Sequence, residues 1–164
     1  MMVLRTRTLV ATLAATALLA AASYALAQEK ISKDQAPAVD KARSEFMKSN
    51  GAQIKVLTSV AKGESPLDAK ALAAAQKLNA NAQEILTHFP AGSGDDVLPK
   101  TRAKAAIWKN WDQFTKDAGN LKTATAALLV AAKSGNTSDF DAKVKGVNNA
   151  CGTCHKTFRS DKKK

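Results

Sequence analysis

Cys151-Gly152-Thr153-Cys154-His155 is the stretch from which the rest of this sequence is read. Two thiols three residues apart, with an imidazole directly after the second, have the spacing of covalent c-type haem attachment. On a helix, positions 151, 154 and 155 fall at i, i+3 and i+4, so the three side chains leave one face. The thiols can add to the two vinyl groups along one porphyrin edge, and the imidazole then comes beneath the iron as a proximal ligand. The motif predicts a helix at this end of the chain and one covalent haem c, with the other segments forming a cage around it.

A thiol pair of this spacing also serves as a redox dithiol or as half of a zinc site. A thioredoxin-like dithiol belongs after a strand and at the opening of a helix. Here no convincing strand is found, and the pair lies near the C-terminus. Zinc needs more donors, and the only other histidine is His88.

Residues 1–27 read as a secretory leader. Arg5 and Arg7 form a basic start, an Ala- and Leu-rich apolar run extends from Leu9 to Tyr24, and Ala25-Leu26-Ala27 supplies a small-x-small cleavage pattern. A retained membrane anchor is the competing reading, but the run is short and weakly hydrophobic. Cleavage after Ala27 leaves a domain of 137 residues, 28–164, in the periplasm. That length suffices for one helical core, and no stable membrane insertion is expected after cleavage. In an oxidising compartment bare thiols tend to close into a disulfide, whereas thioether bonds to haem use both and leave none over.

The chain has 25 Lys+Arg and 14 Asp+Glu; the leader takes two cations and no acid, so the mature domain carries +9. The excess can steer it to a redox partner protein with an acidic docking surface, or it can be a solvated basic face. Nucleic acid binding is not expected of an exported protein without a recognition motif.

Recurrent Ala, Lys, Gln and Leu favour helix throughout. The first helix is expected from Pro37 to Ala61, with Val39, Phe46, Ile54 and Leu57 on its apolar stripe and Gly63 ending it. The second is expected to open with Ser65 as cap and Pro66 at its first position, to run through Leu78 and Ile85 to Phe89, and to be closed by Pro90. Residues 91–100 form a loop broken by Gly92, Gly94 and Pro99. In the third, Ile107, Trp111, Phe114, Ala118, Leu121, Thr125, Leu128 and Ala132 alternate steps of four and three up to Gly135. The fourth starts near Thr137 and carries Phe140, Val144, Val147, Cys151, Cys154 and Phe158 on one face. Short connections make neighbours antiparallel: an all-α, up-down-up-down four-helix bundle.

The mature domain offers few groups for the sixth iron position. Its only methionine is Met47, on the inward face of the first helix, where the thioether can bind iron or simply fill core. His88 is expected at the end of the second helix, in a surface or capping role where a partly positive imidazole suits the helix dipole. Arg43, one turn before Met47, can reach a haem propionate or stand as an exposed helix charge.

A bundle with its attachment motif near the C-terminus, continued as His155-Lys156-Thr157-Phe158-Arg159, resembles a class II cytochrome c, the cytochrome c′ family. Ile107-Trp108, the Arg43–Met47 pair and Val60-Ala61-Lys62-Gly63-Glu64 match points of that family. The resemblance implies a cytochrome c′-like bundle over the whole mature chain. It also implies Trp108 packed on the macrocycle, Phe158 beside the proximal His155, and Arg159 tuning that histidine. The family has two branches: five-coordinate cytochromes c′ that admit nitric oxide or carbon monoxide, and a low-spin c-556 type. The run Phe46-Met47-Lys48-Ser49-Asn50-Gly51 is similar to that of the c-556 type, which implies His155/Met47 ligation and transfer of single electrons. A gas-binding haem protein is the alternative, and no enzymatic acid–base pair is found. Resemblance also implies a possible homodimer through the first two helices, on which the alanine-rich outer positions decide little.

Overall fold

The computed structural model describes residues 30–161. The expected leader, its cleavage after Ala27 and the Lys162-Lys163-Lys164 tail lie outside the described residues. Helix α1 spans Ala36–Ala61. Just before it, Ser32 and Gln35 exchange hydrogen bonds between side chain and backbone, doing the work of a cap. Gly63 ends it in the left-handed region at φ 74°, with the Glu64 N–H donating to Ser59 O at 3.0 Å.

Helix α2 spans Ala69–Glu84 and starts later than expected. Its cap is Asp68, whose carboxylate accepts from the Lys70 and Ala71 N–H groups at 2.9 and 3.0 Å. Ser65 and Pro66 stay outside: Ser65 Oγ shares a hydrogen bond with Ser59 Oγ at 3.0 Å. The capping carboxylate lies nearer the buried stripe that opens at Ala71, so it sets the first turn. The α-helix also stops before Phe89. Residues Ile85–His88 tighten into a 3-10 turn, because Pro90 disfavours α geometry in the residue before it.

The expected third helix is divided. Helix α3 covers Ala106–Lys109 and helix α4 covers Trp111–Ser134, with Asn110 between them at φ −128°, ψ 48°. The Asn110 backbone N–H and its side-chain amide both donate to Ala106 O, at 3.0 and 3.1 Å. Gly135, at φ 71°, ends α4 as expected. After a two-residue turn, Asn136 caps α5, Thr137–Phe158, by accepting from the Asp139 N–H at 3.0 Å.

The four long helices pack in a closed ring, α1 on α2, α2 on α4, α4 on α5 and α5 on α1. This is the antiparallel four-helix bundle, and no strand is formed among the described residues. Leu57, Leu78, Ile107, Phe114, Leu128, Phe140, Val144 and Val147 fill its centre. Because α1 and α5 run in opposite directions, the start of α1 and the end of α5 share one end of the bundle.

Candidate functional site

The packing loosens on two adjacent helices. Phe46 and Met47 on α1, and Cys151, Cys154 and His155 on α5, are only half-buried against the core. Cys151, Cys154 and His155 lie in the last two turns of α5, and Phe46 and Met47 lie near the middle of the adjacent α1. An aromatic chain closes the floor beneath them: the Arg43 guanidinium lies 5.2 Å over the Phe89 ring, Phe89 meets Phe114 edge-on at 4.8 Å, and Phe114 meets Phe158 at 5.3 Å. Trp111 adds a fourth ring, 5.5 Å from Phe114. It is core as expected, yet its Nε1–H is buried without a hydrogen-bond partner.

Cys151 and Cys154 are free thiols, one helical turn apart. Burial pushes both up, Cys154 to about 12 with further contributions from the Asp117 and Cys151 charges. Such thiols are protonated at neutral pH and lack the thiolate character of a redox dithiol. Burial, with help from Arg159 and Arg102, lowers His155 to about 4. Its imidazole is therefore neutral and keeps a lone pair for a metal. Among the described residues, no group of three or more His, Cys, Asp or Glu could hold a metal ion. The donor set fits covalent haem: two half-buried thiols on one face, a neutral imidazole beside them and an apolar floor.

The other expected site residues are placed as follows. Phe158 is buried one turn beyond His155. Arg159 is exposed, its N–H donates to His155 O at 3.1 Å, and its charge reaches the imidazole. Arg43 is not an exposed helix charge; it is 4% exposed. Its guanidinium has protein partners: Ser93 Oγ at 2.8 Å, Ser93 O at 2.8 Å, Thr101 Oγ1 at 3.0 Å and Asp40 at 2.9 Å. Trp108 donates its indole N–H to Phe89 O at 3.1 Å and lies against Gly94, so it pins the loop between α2 and α3. His88 is not a positive cap. It stacks on Phe46 with ring centroids 3.8 Å apart, and burial lowers its pKa despite Glu84. Sequence reading passed over Ser93 and Thr101, and also Asp117, a buried carboxylate on α4.

A helical bundle whose last helix ends in a paired-thiol and imidazole motif defines a bundle-type c cytochrome. The model of the family described as Cytochrome C' matches residues 38–159. A cytochrome c′ of Pararhodospirillum photometricum is 33% identical over 117 residues, 71% of this chain and 92% of that relative. A cytochrome c-556 of Agrobacterium fabrum is 35% identical over 121 residues, 73% of this chain and 80% of that relative. The solved cytochrome c′ of Rhodobacter spheriodes superposes with a TM-score of 0.71 at 33% identity, covering 77% of this chain and 98% of that one. The chain belongs to the cytochrome c′ family. Members bind one covalently attached haem c, are periplasmic in bacteria, and are electron-carrying haem proteins, not classical enzymes.

Proposed function

We propose that this chain is exported with cleavage after Ala27 and carries single electrons through one haem c bonded to Cys151 and Cys154, with His155 and Met47 as axial ligands. The observation that supports this reading is that Met47 and His155 are both half-buried and stand on adjacent antiparallel helices. The other imidazole, His88, is engaged in a stack with Phe46. When bound, the haem supplies a one-electron iron couple. The chain's part is to tether it through two sulfurs, to offer a neutral imidazole and a soft thioether, and to keep water out with Phe89, Phe114 and Phe158. A Met/His pair and an apolar shell both favour the ferrous form.

The surface beside the motif fits an acidic redox partner. Gly152 and His155 line a concavity of about 610 Å³ together with Lys104, Lys156, Arg159 and Asp161. Three cations against one acid favour an acidic docking face.

Absorption spectra of the oxidised and reduced protein test the ligation. The expected result is a low-spin spectrum with a methionine–iron charge-transfer band, which Met47→Ala converts to high-spin with carbon monoxide access. A high-spin wild type would instead support the gas-binding alternative, and an unchanged Met47→Ala spectrum would assign the sixth position to another group.

A further inference from the structure

Asp117 is a carboxylate where the bundle needs only an apolar side chain. It is 4% exposed, on the same stripe of α4 as Phe114, Ala118 and Leu121. Gln113 Nε2 donates to its Oδ1 at 2.8 Å, and no cation pairs with it among the described residues. An ionised group held this way is expensive to bury.

Its position follows from helix register. Helices α4 and α5 are antiparallel neighbours, and Phe114 meets Phe158 at 5.3 Å. Three residues on from Phe114 is Asp117; four and three residues back from Phe158 are Cys154 and His155. The carboxylate is therefore level with the attachment motif. Its charge is felt there, since it adds to the burial that raises the Cys154 thiol.

We propose that Asp117 sets the reduction potential: its buried negative charge stabilises the ferric state and holds the potential below the value the apolar shell alone would give. Reduction adds one electron from an external donor to ferric iron and gives ferrous iron, with no bond made or broken. The site loses one positive charge, so a fixed negative charge nearby opposes the step. Arg102 and Arg159 act in the other sense from the solvent side, where Arg159 is exposed and its field is screened. A buried charge is screened less, so Asp117 outweighs them per unit charge. The proposal rests on haem attachment at Cys151 and Cys154 beside His155, and is independent of Met47.

The test is redox potentiometry on the haem-loaded protein with mediator dyes, following the visible spectrum. Asp117→Asn should shift the one-electron equilibrium toward the reduced form by about tenfold, a rise of about 59 mV, with band positions unchanged. Asp117→Glu, which keeps the charge, should stay near wild type. Gln113 is exposed, so Gln113→Lys should fold readily and place a counter-charge on the same carboxylate; it should raise the potential by less. A coloured Asp117→Asn protein with an unchanged or lowered potential overturns the proposal alone. If that variant does not fold, an unchanged potential in Gln113→Lys overturns it. A colourless wild type overturns both the proposal and the attachment beneath it.

Discussion

Replacing Arg43 by alanine is expected to destabilise the fold, whatever holds the iron. The side chain is 4% exposed and joins α1 to a loop 50 to 58 residues away. Burial lowers the guanidinium's pKa while Asp40 raises it, and it stays charged. Truncation removes the donors to Ser93 O, Ser93 Oγ and Thr101 Oγ1, on residues 0% and 2% exposed. Thr101 Oγ1 keeps the Ala103 N–H and Ser93 Oγ keeps its bond to Pro90 O, so the cost falls chiefly on Ser93 O, about 1–3 kcal/mol for a buried acceptor left unpaired. Asp40, one-third exposed, loses its counter-charge but still accepts from the Thr101 hydroxyl. Relief of guanidinium desolvation offsets part of this, so the net loss is about 3–5 kcal/mol, as for other broken buried pairs. At this chain length each kcal/mol lowers Tm by roughly 3–4 °C, giving about 9–20 °C in all. Thermal melts of the haem-loaded protein by far-ultraviolet circular dichroism measure it. Arg43→Met, which restores volume but no donors, should recover little. A Tm within about 2 °C of wild type for Arg43→Ala would refute the reasoning, and recovery by Arg43→Met would assign the effect to packing.

Two further outcomes are expected. An alanine Cβ at Gly94 would lie 2.5 Å from Trp108 Cζ3 and 2.7 Å from Asp96 Oδ1, so Gly94→Ala should displace the indole and cost about 1–3 kcal/mol; near-ultraviolet dichroism of the tryptophans should change with it. The folded pKa of His88 is lowered, so the unfolded chain takes up a proton first as pH falls. Its contribution to stability is present above about pH 6.5, the unfolded value, and is lost as pH falls toward the folded one. Glu84 and Arg43 are the charges that act on it, in opposite senses. His88→Phe keeps a ring against Phe46 and should flatten the urea midpoint between pH 6.5 and 5; an identical slope in wild type and variant would contradict this.

The bundle was legible because its signals are periodic. Phe140, Val144 and Val147 lead in phase to Cys151, and Gly135 stops the helix before them. Local competition was harder to read. Ser65-Pro66 and Asp68 are both plausible openings three residues apart, and the choice was made by register against the core at Ala71. The break at Asn110 was hidden because Ile107, Trp111 and Phe114 keep their spacing across it. Arg43 read as a propionate contact or an exposed charge, and its burial was not visible because its partners Ser93 and Thr101 come from a distant loop. Asp117 had a visible cue, its place one turn after Phe114 with Gln113 four residues before it, but an acid between apolar positions reads as solvent-facing until the helix is seen packed.

The measurement that bears most directly on the account is the intact mass of the chain made in cells with haem-maturation machinery, denatured to strip any group held without covalent bonds. The expected mass is one haem above the mature polypeptide, with neither Cys151 nor Cys154 open to alkylation. A bare polypeptide mass with both thiols alkylated would contradict it.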